Sequence, residues 1–159
     1  LQHFINFPEK YESNLNDYLI SANMLICAHY WDPISPRLFK KKDIKKYKNL
    51  NVIGDITCDI NGSIPTTIRS STIENPYFYL ERNSLKEVEK KGEFISIMAV
   101  DNLPSELPRD SSTEFSKGMV NEVLPYLINK DDGRIKKATI SFNGKLLPHY
   151  SYLNKYINN

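Results

Sequence analysis

Two short stretches carry the residue types that could do chemistry on a polar ligand. Asp55-Ile56-Thr57-Cys58-Asp59 sets two carboxylates four residues apart with a hydroxyl and a thiol between them, and Asp101-Asn102-Leu103-Pro104 adds a further carboxylate and a carboxamide. A carboxylate at a strand end accepts hydrogen bonds from an amide, a hydroxyl or an ammonium group. Two of them on an extended-then-turning segment serve different parts of one ligand. Each also has a structural alternative. Asp59 equally suits holding the Asn61-Gly62 turn, and Asp101 suits an Asx cap ahead of Leu103-Pro104. Cys58 lacks a sequence-evident His or Lys activator, so it reads as a small buried side chain. His29 lies in an apolar run and reads as a satisfied core histidine, His149 as surface. Arg109, just before a capped helix start, suits an acidic ligand or a structural contact.

Other chemistries find little support. Two cysteines and three scattered histidines offer no CxxC or HxxxH spacing, so neither a metal site nor a disulfide framework is indicated, and a reducing compartment is the natural reading. Lys40 to Lys48 contains six lysines, but no arginine or aromatic stacking platform accompanies them, and the simpler reading is a solvated face. A net charge of +2 does not by itself imply nucleic acid. No apolar run is long enough to span a bilayer. The chain opens on Leu1 with no secretory pattern, and the start reads as a cut. At 159 residues and 18.4 kDa the length suits one domain with a real core.

The elements that must position these residues read as alternating strands and helices. Met24 to Tyr30 is nearly continuous in apolar character and suits a strand buried on both faces. Asn51 to Thr57 and Phe94 to Val100 suit two more, and Tyr77 to Leu80 an extra one. Pro8 to Ala22 has Tyr11, Leu15, Tyr18 and Leu19 at helical spacing. Ser111 and Glu114 have the spacing of a capping box, ahead of a helix whose buried face is Phe115, Met119, Val123 and Leu127, kinked or ended at Pro125. A short strand over 138–142, a turn at Asn143-Gly144 and a last helix after Pro148 close the chain. Polar clusters at the ends of buried strands mark the crevice where open parallel sheets bind ligands.

Such a domain should open on a glycine-rich phosphate loop. Here the glycines are 54, 62, 92, 118, 133 and 144, and no GxGxxG or P-loop exists. Either this is not a nucleotide site, or the phosphate loop lies upstream.

Several strings favour the second explanation. Tyr30-Trp31-Asp32-Pro33, Pro36-Arg37-Leu38, Gly54 to Asp59 with Gly62-Ser63-Ile64, and Thr72 to Pro76 resemble the lysine-ketoglutarate reductase part of the bifunctional aminoadipic semialdehyde synthase family. The likeness continues through Val100 to Pro104, Leu107-Pro108-Arg109, Leu124-Pro125-Tyr126, Asn143 to Leu146 and Tyr150 to Leu153. The same order is similar, more distantly, to alanine dehydrogenase and the related transhydrogenase domain; alanine dehydrogenases usually have Ala-Asn-Met-Pro where this chain has Asp101-Asn102-Leu103-Pro104. That departure favours the saccharopine-forming branch.

The resemblance implies an α/β fold, the carboxyl-terminal part of a Rossmann-like doubly wound parallel sheet plus the closing segment of the adjoining substrate domain. Residues 1–104 would be a partial dinucleotide-binding domain, and 105–159 a closing helix and tail leading toward a following dehydrogenase region. It implies condensation of L-lysine with 2-oxoglutarate to saccharopine with NADPH, or NADH, as reductant. Tyr30, Ile56, Val100, Asp101, Asn102 and Leu103 would contact the cofactor. Thr57, Cys58 and Asp59 would lie nearer the substrate, and the acid/base Lys/His pair would lie upstream. Implied partners are the rest of the chain, including a saccharopine dehydrogenase region, and a second copy in a homo-oligomer. Nucleic acid and membrane are not among them. The family's compartment is mitochondrial, with cytoplasmic as the alternative. Two other readings stand beside this one: a non-catalytic binding or regulatory remnant, and an alanine dehydrogenase-like enzyme. A half sheet standing alone is expected to associate.

Overall fold

Three of the apolar runs form parallel strands. Met24–Cys27 (β1) pairs with Val52–Asp55 (β2); Tyr77–Glu81 (β3) and Glu87–Val88 (β4) then precede Phe94–Met98 (β5), which pairs with β2. The sheet order is β1-β2-β5-β3-β4, with β3 antiparallel to both β5 and β4. A computed structural model describes residues 2–157, in two units divided between Glu106 and Leu107.

Register decides which side chains meet. Leu25, Ile53, Ile97 and Phe78 lie on one row across the sheet, and the next residue of each strand faces the other way. The first face carries the core: Ile53, Ile95, Ile97, Phe78 and Leu80 are buried with Leu19, Phe39, Ile44, Tyr47, Leu50 and Ile64. The opposite face is open. Met24 and Ile26 of β1 are 56% and 64% exposed and Tyr77 of β3 is 50% exposed, so β1 is not buried on both faces as its composition predicts. A continuous apolar run shows that both faces need cover, and this unit supplies cover for one.

That cover is the crossover from β1 to β2. It contains a 3-10 turn over Lys41–Lys46 in which Ile44 is fully buried, with Tyr47 buried just after it. All six lysines of the cluster point outward, and Asp43 accepts an ion pair from Lys46 at 2.8 Å, as a solvated face requires. The buried Arg82, just after β3, holds the crossover down. Its guanidinium donates to the carbonyls of Tyr47 (2.8 Å) and Leu50 (2.9 Å) and to Asn51 Oδ1 (3.2 Å).

The amino-terminal helix read from spacing is instead two short pieces, a 3-10 turn over Pro8–Lys10 and a helix over Asn16–Leu19. Ser13 Oγ accepts the Leu15 amide at 3.2 Å between them, a local bond that competes with helix continuation.

The second unit begins with a helix over Pro108–Gly118. It starts at Pro108 behind Leu107, and Ser111 donates its amide to the Leu107 carbonyl, so Ser111 lies inside the helix rather than capping it. Proline at the first helical position sets that start. A π turn over Met119–Val123 precedes Leu124–Ile128, which accommodates the missing amide of Pro125. Phe115 and Leu127 are 71% and 60% exposed, and no residue of these three segments is buried, contrary to the buried face their spacing predicts. A helix over Arg134–Ala138 is followed by Ser141–Phe142 (β6) and Lys145–Leu146 (β7), which pair across Asn143-Gly144, both at positive φ (49° and 75°). Their two-residue strands are too short to cover a long apolar stripe. Pro148–Leu153 and Asn154–Ile157 form the closing helical turns. Among the described residues no helix is long and apolar enough to cross a membrane.

The open sheet face and the uncovered helix stripe carry a direct consequence. The 159-residue chain alone is expected to self-associate at high concentration, with an apparent mass that rises in light scattering as the sample is concentrated. A monodisperse monomer throughout would contradict this.

Candidate functional site

The three parallel strands end on the same edge of the sheet, and their loops carry the candidate residues. The Ile56 amide donates to the Cys27 carbonyl at 2.8 Å, tying the end of β2 to the end of β1. Ile56 therefore offers a ligand its carbonyl and a side chain that is 44% exposed.

Beyond β1 the chain turns away at His29-Tyr30-Trp31. The Trp31 indole donates to the Pro36 carbonyl at 3.2 Å, fixing this loop. Tyr30 has no such anchor and is 90% exposed. Together with Phe4, Tyr11 and Ile34 these three residues line a cavity of about 640 Å³. His29 Nε2 is buried and without a hydrogen-bond partner among the described residues, so it is not the satisfied core histidine that the sequence predicts. The strand ladder stops at Cys27, and the imidazole sits in the loop beyond it.

The loop after β2 is folded around its first carboxylate. Asp55 is fully buried, and its Oδ1 accepts the Thr57 amide (3.1 Å) and hydroxyl (2.5 Å) while its Oδ2 accepts the Thr67 hydroxyl (2.6 Å). Thr57, assigned to the substrate side from sequence, thus directs its hydroxyl back at the strand end. Cys58 has left-handed backbone (φ 56°), and its thiol donates to the Asp55 carbonyl at 3.2 Å. Burial first, then the negative charge of Asp55, Asp101 and Asp59, raises the Cys58 thiol above the ordinary cysteine range. Burial with the Asp55 charge pushes the Cys27 thiol up to about 12. Both stay protonated at neutral pH, and neither is an activated nucleophile.

Asp59 is exposed, and the turn it opens is closed by main chain, with the Gly62 amide donating to the Asp59 carbonyl at 2.8 Å. The Asp59 carboxylate is therefore not spent on the Asn61-Gly62 turn. Gly62 is required there: a Cβ would stand 2.4 Å from Asp59 Cβ and 2.9 Å from its carbonyl oxygen. Gly62→Ala is expected to displace Asp59 and to cost about 2 kcal/mol of stability by overpacking, read from the urea midpoint. An unchanged midpoint would contradict the close approach.

After β5, Val100 is buried and bridges to Ser71, so its side chain belongs to the core and only its main chain faces the loop. Asp101 and Asn102 are exposed and Leu103 is half-buried. The turn that follows is closed by the Ser105 amide on the Asn102 carbonyl at 2.9 Å. The Asp101 charge, on the loop after β5, acts on the Cys58 thiol of the loop after β2.

Of the expected residues, Thr57, Cys58, Asp59 and Asp101 thus share one acidic neighbourhood with Asp55, while Tyr30 stands in the aromatic cavity at the end of β1. From sequence, Asp55 is only one of two carboxylates on its segment. Its burial and its bond to Thr67, twelve residues on, carry no local signal. His149 is exposed, as its sequence position predicts, while Arg109 lies exposed within the first turn of the second unit's helix rather than ahead of it.

Parallel strands whose loops gather polar groups at one sheet edge define a Rossmann-like α/β domain. A family model for the alanine dehydrogenase/PNT C-terminal domain matches residues 1–148, and the chain belongs to that family. It is 30% identical over 156 residues to alpha-aminoadipic semialdehyde synthase of Arabidopsis thaliana, covering 92% of this chain and 15% of that protein. It is 26% identical over 179 residues to the mitochondrial enzyme of the same name from Mus musculus, covering 94% of this chain and 19% of that one. A saccharopine dehydrogenase [NAD(+), L-lysine-forming] of Yarrowia lipolytica is 27% identical over 101 residues, covering 62% of this chain and 26% of that protein. The chain thus spans 15–26% of the length of these relatives.

Proposed function

We propose that this chain is the nicotinamide-side part of an NADPH-dependent reductase that joins L-lysine to 2-oxoglutarate and yields saccharopine. What carries the reading is the pair of exposed carboxylates, Asp59 and Asp101, on the loops after β2 and β5 at one end of the parallel strands, in a chain similar to alpha-aminoadipic semialdehyde synthases over nearly its whole length.

The described residues fit one end of a nicotinamide dinucleotide. Asn102 presents a carboxamide that can both donate and accept, the Ile56 carbonyl can accept, and the exposed Ile56 side chain offers an apolar surface to a ring. Tyr30 offers a second surface at the end of β1. No glycine-rich turn among the described residues suits a pyrophosphate, so that contact falls to the parent chain upstream. When bound, the cofactor supplies a hydride for reduction of a carbon–nitrogen double bond.

This chain's residues supply charge and shape. The amine of lysine and the imine it forms with the keto carbon are cationic when protonated, and Asp59 and Asp101 set a negative field that favours the cation. The raised thiol of Cys58 keeps the sulfur neutral and out of reaction with the keto carbon. The free edge of β1 and the open sheet face take the upstream half of the domain, and the Lys/His acid/base pair comes with it. Within the parent chain the partners are a saccharopine dehydrogenase region and a second copy. The compartment is mitochondrial, as the name of the mouse relative states for that protein.

The test is turnover by the full-length native polypeptide. NADPH oxidation that requires both lysine and 2-oxoglutarate supports the reading. Oxidation with pyruvate and ammonia instead would make this an alanine dehydrogenase-like enzyme, and none with either pair would leave a non-catalytic remnant.

A further inference from the structure

We infer that Asp55 is a positioning residue: its buried side chain clamps both ends of the loop after β2 and so sets where Asp59 stands. The functional half of this inference rests on the proposed reductase reading; the clamp itself does not.

The surroundings of Asp55 form an arrangement that stability alone disfavours. Asp55 is 0% exposed, and among the described residues it has no ion pair. All three groups that reach it are donors, two hydroxyls and an amide, which is the pattern an ionised carboxylate accepts. Burying a carboxylate among neutral dipoles costs more than an apolar side chain of similar size would. Such a group is informative when it fixes one geometry among several.

Here it fixes the start and the end of one excursion. Thr57 is held at the strand end and Thr67 is held to the other oxygen of the same carboxylate, so residues 57–67 are pinched at both limits. Thr67 is itself tied into the excursion: its carbonyl accepts the Asn61 amide (2.8 Å) and its amide donates to the Ile64 carbonyl (3.1 Å). From Gly62 to Thr67 every residue is buried, which is unusual for a loop and leaves it little freedom. Cys58, with a side chain yet at φ 56°, is held there by its thiol bond to the Asp55 carbonyl. A left-handed non-glycine residue persists where its surroundings over-determine it. The only exposed carboxylate on this rigid excursion is Asp59, at the start of the turn closed by Gly62.

The test uses the full-length native polypeptide with Asp55→Asn, Thr57→Val and Thr67→Val. Asparagine keeps the shape and can still meet the threonines, but removes the charge and one acceptor. Two readouts do not depend on turnover. Amide exchange at Thr57 to Asp59 is expected to speed about 10-fold or more in all three variants, with exchange in β5 unchanged. The pH at which iodoacetamide alkylates Cys58 at half its maximal rate is expected to fall in Asp55→Asn and to stay put in both threonine variants, which keep the charge. That arm reads the Asp55 charge beside Cys58, and the positioning role is read by turnover. In turnover, kcat is expected to fall about 10-fold in each variant with the dinucleotide Kd changed less than about twofold.

Unchanged loop exchange in Asp55→Asn, whatever the alkylation profile, would overturn the clamp. Loosened loop exchange with full kcat in an active enzyme would overturn its role in placing Asp59. A wild-type chain that turns over neither substrate pair would sink the reductase reading alone, since the exchange arm still reads the clamp. Should Asp55→Asn lose protection in β5, the two threonine variants carry the exchange arm.

Discussion

Asp59→Asn in the full-length polypeptide is expected to lower kcat for lysine and 2-oxoglutarate by about 100-fold, a loss of roughly 2.7 kcal/mol of transition-state stabilisation. The change removes a negative charge from an exposed turn of a rigid loop and leaves a side chain of nearly the same shape. Because Asp59 is exposed and its turn is closed by main chain, the fold loses nothing by it. The thermal midpoint should stay within about a degree, and dinucleotide affinity within about twofold, since the phosphate contacts lie elsewhere. A variant with full kcat would remove Asp59 from the site. One that loses its midpoint along with its activity would make Asp59 a structural residue after all.

Arg82→Ala is expected to produce the largest loss of stability. Its guanidinium is buried and satisfies two main-chain carbonyls and one side-chain oxygen, of which the carbonyls of Tyr47 and Leu50 belong to buried residues of the crossover. Alanine leaves the Leu50 carbonyl and Asn51 Oδ1 without this donor, leaves the Tyr47 carbonyl with the Leu50 amide alone (3.0 Å), and opens a cavity between the crossover and β3. One orphaned buried carbonyl costs about 1–3 kcal/mol and the cavity adds to it, so a loss of about 3 kcal/mol is expected against a total of about 5–15. Arg82→Lys keeps the charge but cannot reach all three acceptors from one ammonium, and should lose about half as much. Urea unfolding followed by amide exchange in β2 and β3 measures both. A loss below about 1 kcal/mol for the alanine variant would mean that water replaces the guanidinium.

These two residues differ in how far the sequence exposes them. Asp59 is legible because carboxylates four residues apart at the end of an apolar run form a local pattern, and the strands themselves are legible because their apolar runs are short and bounded. Arg82 is invisible because two of its three acceptors are main-chain groups that any residue type could supply, and all three lie more than thirty residues away. Asp55 is visible as a residue but not as a clamp, since its burial depends on Thr67 folding back. The misread helices fail for a related reason. Spacing over Pro8 to Ala22 satisfies the helical period, yet Ser13 bonds its local backbone instead. Ser111 and Glu114 match a capping box, yet Pro108 starts the helix three residues earlier. The open face of β1 is a matter of what the rest of a chain supplies, and no local pattern encodes that.

The most direct measurement is NADPH oxidation by the native polypeptide, isolated from its source with an antibody raised against this segment. The reductase reading predicts a product several times larger than 18.4 kDa that oxidises NADPH only when lysine and 2-oxoglutarate are both present, and forms saccharopine. A product near 18.4 kDa, or a larger one that leaves NADPH untouched with that pair, would contradict it.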